Sequence, residues 1–189
     1  MKKIIIAVVL AVVLVAGGLG GFVYATNGHA PMTGQKLVGF GSCMVDGDIY
    51  FEGLFAFTNP DCVSEITIKQ LSIIKDDGTV IHEGKLLDRE GNPLPQTLGP
   101  HEVGFIVLGD YVARYYGLEP WALRDFPRGG YAVEIFWTKS HKNGLPLTGS
   151  SITNTLELEE GTNVIIGQAA GWSNEMVNME QKLTPEKPK

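Results

Sequence analysis

Apolar residues from residue 36 onward recur mostly at every second position, a pattern typical of half-buried β-strands. The alternation is clearest in residues 48–58. It predicts that one set of side chains faces the core, Ile49, Phe51, Phe55 and Phe57, and that a second set faces outward, Tyr50, Glu52, Ala56 and Thr58. Gly53 replaces an inward side chain, so a bulge or a close backbone contact is expected there.

Two turn signals predict antiparallel hairpins. Asp46-Gly47 is a two-residue hairpin signal and pairs residues 36–45 with 48–58, because the central positions of the favoured turn need positive φ. Asp76-Asp77-Gly78 joins residues 65–75 to 79–83 in the same way. Residues 86–99 contain glycine, two prolines and an asparagine and are predicted to form a loop.

Further strands are predicted at 103–108, 131–138, 150–159 and 163–169, each bounded by turn residues. About eight such strands indicate an all-β fold, an immunoglobulin-like antiparallel β-sandwich. A short helical insertion interrupts the series at residues 110–130. There Asp110 is expected to cap a helical turn that Gly117 closes, and Pro120 to start a second turn.

The first 25 residues place Lys2 and Lys3 before an uncharged, hydrophobic helix over residues 4–24. This polarity predicts that the rest of the chain is exported across the cytoplasmic membrane. Residues 1–25 fit both a cleaved signal peptide and a membrane anchor, since Val23-Tyr24-Ala25 suits a cleavage site and about 20 apolar residues span a bilayer. We expect a linker at 26–35, the β-sandwich domain at 36–172, and a polar tail at 173–189.

The formal net charge is −6, and without Lys2 and Lys3 of the first 25 residues it is −8. An acidic surface argues against nucleic acid and anionic lipid headgroups as partners, because both need clustered basic residues.

The two cysteines, Cys43 and Cys62, lie on either side of the predicted strand 48–58. A strand of that length separates them by roughly 30 Å, far more than a disulfide spans. The hairpin therefore makes a Cys43–Cys62 disulfide improbable, although a sharply bent strand or a folded-back loop would still permit it.

No metal, cofactor or catalytic residue is predicted. The cysteines lack zinc-site spacing, the four histidines are scattered beside turns, and no glycine-rich phosphate loop or G-x-S-x-G motif occurs. Ser150 and Ser151 fit the start of a strand better than a nucleophile. Two oxygen-rich sets are calcium alternatives, but neither has the spacing of a calcium loop: Asp46, Asp48 and Glu52, and Asp88, Glu90 and Asn92.

The insertion is the predicted binding surface, because Tyr, Trp and Arg dominate interface hot spots and aromatic rings stack on sugars. Its candidate binding residues are Tyr115, Tyr116, Trp121 and Arg124. The alternative is that the insertion covers one end of the sandwich and buries these rings in the core.

The segments LGPHEVGFIVL, AVEIFW and NVIIGQAAG, with ITIKQLSIIKDDGTVIHEG before them, follow one another as turns and strands. In this order the chain resembles a family of small exported bacterial β-sandwich domains of uncharacterised function, over residues 36–171. The insertion departs from the family pattern, and the resemblance implies no site residues.

The expected function is that of a non-catalytic binding or assembly module outside the cytoplasmic membrane. Its expected partners are a protein or glycan of the cell envelope, a second copy of the chain, and the membrane itself through residues 4–24 if these are retained. The alternative is an envelope enzyme such as a glycan hydrolase, which needs two carboxylates about 5 to 10 Å apart in a cleft. Glu157 and Glu159 are expected to point to solvent.

Overall fold

A computed structural model describes residues 32–119, 121–140 and 145–180. It confirms an all-β, antiparallel organisation with one short helix. The strands of the described part are β1 (Met32–Asp46), β2 (Ile49–Thr58), β3 (Ile66–Lys75), β4 (Val80–Gly84), β5 (Thr97–Leu98), β6 (Val103–Val107), β7 (Gly130–Lys139), β8 (Thr148–Leu158), β9 (Ile165–Glu175) and β10 (Val177–Glu180). The helix α1 covers Leu108–Tyr116, and a 3₁₀ turn covers Leu123–Asp125.

The strands pair in the order β4-β3-β7-β1-β2-β8-β9, while β10, β5 and β6 pair with β1, β3 and β2. The long strand β1 connects two groups of strands. Its residues 32–42 pair with β7, and its last residues, 43–46, pair with β2. Beyond that point β6 takes the place of β1 beside β2, from Leu54 to Thr58.

Both predicted hairpins are present, but the first is shorter than predicted: residues 43–46 pair with 49–52, whereas the prediction pairs 36–45 with 48–58. Asp46 pairs with Ile49, so the first loop consists of Gly47 and Asp48 rather than Asp46 and Gly47. Gly47 alone has a positive φ there, 63°, which is the pattern of a turn with glycine at its first central position. The second hairpin joins β3 to β4 through Gly78, whose φ is 86°.

The predicted orientation of Tyr50 is wrong. Phe55 and Phe57 are buried as expected, but the Tyr50 side chain is also buried, at 2% exposure. The insertion causes this, because Leu123 and Phe126 are buried in the same core and Phe126 meets the Tyr50 ring edge-on at 5.8 Å. At Gly53 the pairing with β8 continues without a bulge, and an added Cβ would lie 3.0 Å from the Ser42 carbonyl oxygen, which is the expected close contact.

The predicted helical insertion is present, but its first turn begins earlier than expected. Helix α1 starts at Leu108, where β6 ends, so Asp110 lies inside the first turn and does not cap it. No side-chain cap comes from the preceding residue, Val107. Gly117 ends the helix in the left-handed conformation, as predicted. Pro120 lies outside the described residues.

The described strands extend past the predicted domain limits. Strand β1 begins at Met32 rather than at residue 36, and β10 ends at Glu180 rather than 172. The predicted hydrophobic helix at 4–24 and most of the linker lie outside the described residues. Within the described residues, no helix is long and apolar enough to cross a membrane.

A buried ion pair joins the end of β7 to the loop after β2. The side chains of Lys139 and Asp61 are 0% and 7% exposed and contact each other directly. The Lys139 ammonium also donates to the Leu145 carbonyl oxygen at 2.8 Å, and Asp61 accepts from the Val63 backbone N–H at 2.8 Å. The hydrogen bond from Lys139 lowers the pKa of Asp61 to about 2.

We predict that Lys139→Met lowers the free energy of unfolding by about 3 kcal/mol or more, because it leaves the Asp61 charge buried without its partner. Chemical denaturation at neutral pH measures this change. The matched control is Lys75→Met, because the partner of Lys75, Asp77, is half exposed and such pairs contribute at most about 1 kcal/mol. An equal loss in both variants would contradict the prediction.

Candidate functional site

A cavity of about 320 Å³ lies between β2, the start of α1, the 3₁₀ turn and the β8–β9 region. Its volume is within the range of small-molecule sites. Its walls combine polar and charged side chains with an apolar set, and the lining residues are Tyr50, Glu52, Arg89, Gly109, Asp110 and Asn163, with Val107, Trp121, Leu123, Phe126, Leu156 and Ile165.

The Glu52 carboxylate joins β2 to the helix. Its Oε1 accepts the backbone N–H of Gly109 at 2.9 Å, in the first turn of α1. Its Oε2 accepts the Tyr50 hydroxyl. Glu52 therefore supplies the helix with the N-terminal cap that α1 lacks locally, and the positive end of the helix favours a carboxylate there.

Position 109 has no room for a side chain. A Cβ added to Gly109 would lie 2.8 Å from both the Glu52 Oε2 and the Tyr50 hydroxyl oxygen. A side chain at position 109 would therefore displace the Glu52 carboxylate or the Tyr50 hydroxyl from its present position.

The Glu52 pKa is raised to about 7, above its ordinary value of 4.5. Burial is the main cause, and the nearby Asp110 carboxylate adds to it, while the hydrogen bonds from Tyr50 and Gly109 act in the opposite direction. The neighbouring Tyr50 and Cys43 also have raised pKa values, mainly through burial, and their side chains contact each other at 3.5 Å. Glu52 therefore carries a proton part of the time near neutral pH.

Asp110 is the second carboxylate on the cavity wall. Its pKa is raised, because burial outweighs the effects of Arg89 and Arg114. The Nε of Arg89 lies 3.9 Å from the Asp110 Oδ1, and the Arg89 side chain is more than half exposed. The cavity thus has two carboxylates and one loosely paired guanidinium.

Of the four predicted binding residues, Trp121 lies on the cavity wall, with 63% of its surface exposed. Tyr115 and Tyr116 are 47% and 40% exposed and contact each other edge-on at 4.9 Å, but neither lines the cavity. Other rings of the insertion are buried, including Tyr111 and Phe126. The insertion therefore combines the two alternatives: part of it is core and part is exposed.

Arg124, the fourth predicted binding residue, is occupied within the fold. Its guanidinium pairs with Asp48 at 3.0 Å and donates to the carbonyl oxygens of Glu159 and Thr162, each at 2.7 Å. These contacts join the 3₁₀ turn to the turn before β2 and to the turn after β8. Arg124 thus shapes the cavity from outside it.

The other sequence candidates are not brought together. Cys43 is buried and Cys62 exposed, both as free thiols. Asp46 and Asp48 pair with Arg128 and Arg124, away from the contacts of Glu52. The described residues contain no group of three or more His, Cys, Asp or Glu side chains that could hold a metal ion.

Ser150 lines a different cavity, of about 380 Å³, together with Thr58, Thr148 and Glu175. That cavity contains neither a histidine nor a second carboxylate among its lining residues. Glu175 is therefore the one titratable side chain among these lining residues, and no Ser–His pair is present among them.

Sequence reasoning missed Glu52 and Asp110 as a pair. Glu52 was one member of a calcium alternative, and Asp110 was expected to act as a helix cap. The available signal was a glutamate within a predicted strand that directly follows two aromatic residues, Tyr50 and Phe51, and precedes a glycine.

No family model matches this chain, and no curated protein matches it. Among solved structures, it is similar to the crystal structure of Thermotoga maritima 1070, with 9% sequence identity and a TM-score of 0.37. The match covers 78% of this chain and 97% of the other. A similarity of this size says nothing about function.

We predict that Glu52→Gln changes how stability depends on pH. Because the folded state raises the Glu52 pKa from 4.5 to about 7, the folded protein binds this proton more tightly, and the wild type loses stability as pH rises through that window. In the variant, the side-chain amide oxygen can still accept the Gly109 N–H. Because the variant has no carboxyl proton at this position, its stability does not fall over this pH range. From about pH 4.5 to about pH 7, the free energy of unfolding of the variant should therefore rise relative to that of the wild type, by an amount on the order of 3 kcal/mol.

Denaturation curves at a series of pH values measure this difference. The matched control is Glu160→Gln, which removes an exposed carboxylate outside the cavity. A difference between Glu52→Gln and wild type that stays constant with pH would show that the carboxyl is not buried as described.

Proposed function

We propose that this protein is a non-catalytic binding module outside the cytoplasmic membrane, with an immunoglobulin-like sandwich fold, and that it holds a glycan in the cavity beside Trp121. The antiparallel strands and the strand exchange along β1 support the sandwich. The polarity of residues 1–25 supports export, and the acidic net charge of −6 disfavours nucleic acid. Self-association and the resemblance to exported bacterial sandwich domains remain predictions.

The observation that carries the glycan proposal is an exposed Trp121 on the wall of a cavity lined by hydrogen-bonding groups. A sugar has a weakly polar ring face that stacks on an indole and hydroxyl groups that need polar partners. Glu52, Asp110, Asn163 and Arg89 supply carboxylate, amide and guanidinium groups around the same space.

We predict that Trp121→Ala weakens glycan binding by about tenfold, because it removes the stacking surface. The probes are soluble β-1,4-linked trisaccharides, and isothermal titration measures their affinities for the wild type and for each variant. Tyr115→Ala is the matched control, since it removes an exposed ring outside the cavity and should leave affinity unchanged.

Two outcomes count against this proposal. If none of the trisaccharides binds at millimolar concentration, the glycan is the wrong ligand class. If Tyr115→Ala weakens binding as much as Trp121→Ala, the contact surface is the exposed face of the insertion and not the cavity.

A glycan hydrolase is the second candidate, and one observation favours it. Glu52 and Asp110 line one cavity and both have raised pKa values, as a general acid requires. The hydrogen bonds from Tyr50 and Gly109, however, stabilise the ionised form of Glu52 and so oppose its use as a proton donor. Incubating the trisaccharides with the protein separates the candidates: the binding module returns them intact, whereas a hydrolase releases shorter sugars and loses this activity in Glu52→Gln.

A further inference from the structure

We infer that the ligand of this cavity is an amino sugar with a free, protonated amine, and that its ammonium group lies against Glu52. This inference rests on the proposed glycan-binding function and names the sugar class. It follows from the charges on the cavity wall, the donors around Glu52 and the position of Trp121.

The cavity wall has an excess of negative charge. Glu52 and Asp110 are both carboxyl groups, and the one basic side chain among the lining residues, Arg89, lies near Asp110 and reaches toward solvent. Within the described residues, no Lys, Arg or His nitrogen comes within 4.0 Å of the Glu52 carboxylate. Glu52 is partly buried, and a partly buried carboxylate without a cationic partner is costly, so a cation supplied by the ligand would stabilise its ionised form.

The hydrogen bonds of Glu52 leave capacity for such a ligand. The two groups that donate hydrogen bonds to Glu52, the Tyr50 hydroxyl and the Gly109 N–H, are both neutral. An ionised carboxylate has about four acceptor positions, so an ammonium can donate to Glu52 without displacing either donor. A charge-assisted hydrogen bond of this kind is roughly twice as strong as a neutral one.

Trp121 distinguishes an amino sugar from a simple inorganic cation. Its exposed indole gives the sugar ring a stacking surface, and an ammonium near its face gains a cation–π contribution. An acetamide or hydroxyl at the same carbon keeps the stacking but brings no charge to Glu52. The cavity should therefore discriminate among sugars that differ in one substituent.

Three β-1,4-linked trisaccharides test this directly, because they differ only at carbon 2: glucosamine, N-acetylglucosamine and glucose units, which carry an amine, an acetamide and a hydroxyl. Isothermal titration of the full-length protein in a non-ionic detergent at neutral pH gives the three affinities. We expect the amine-bearing trisaccharide to bind at least about tenfold more tightly than the other two.

Glu52→Gln supplies the residue-level test, because glutamine has the same shape and can still accept from Gly109. In this variant the amine-bearing trisaccharide should bind within about threefold of the glucose trisaccharide. Glu160→Gln removes the same charge from an exposed position outside the cavity and should retain the preference for the amine. Circular dichroism verifies that both variants are folded.

Each contrary outcome has a distinct meaning. If the three trisaccharides bind equally well and Trp121→Ala weakens all of them, the glycan function stands and the inference about the amine is wrong. If Glu52→Gln keeps the full preference for the amine, the attraction comes from the acidic surface in general, which also overturns the inference. If no trisaccharide binds, the proposed function fails as well.

Discussion

The contact between the Glu52 carboxylate and the Gly109 N–H fixes where helix α1 begins, and the cavity depends on it. The helix has no side-chain cap of its own, so the first turn relies on a carboxylate that β2 presents. Tyr50 donates to the same carboxylate and packs edge-on against Phe126. The strand, the helix and the 3₁₀ turn therefore meet around one partly buried acid, and Trp121 on the same cavity wall is exposed.

The same contact gives the site its electrostatic character. Burial and Asp110 raise the Glu52 pKa to about 7, so a proton or a cation can balance this charge near neutral pH. In the ion pair of Lys139 and Asp61, by contrast, the two buried charges balance each other, and the pair joins β7 to the loop after β2. The buried Asp61 carboxylate thus has a cationic partner within the chain, while the partly buried Glu52 carboxylate faces a cavity lined by aromatic and polar side chains.

Local signals in the sequence were enough to predict the hairpins, since Gly47 and Gly78 set their turns and the alternation in β7 marks its two faces. Trp121, one of the predicted binding residues, is exposed and lines the cavity. The roles of Glu52 and Arg124 could not be predicted in this way. Glu52 meets Gly109 across 57 positions, and Arg124 meets carbonyl oxygens 35 and 38 positions away, so their partners are set by packing of the insertion and not by neighbouring residues.

The measurement that tests this account most directly is a pH titration of the Gly109 amide in ¹H–¹⁵N NMR spectra of the full-length protein. If the Glu52 carboxylate accepts this N–H, the amide signal should shift with a midpoint near pH 7, the pKa of the buried acid. A Gly109 signal that does not titrate, or that follows a midpoint near the ordinary glutamate value of 4.5, would contradict the account. A midpoint near 4.5 would mean that burial does not raise the pKa of Glu52, and a signal that does not titrate would mean that the Gly109 N–H does not report on a titrating Glu52 carboxyl.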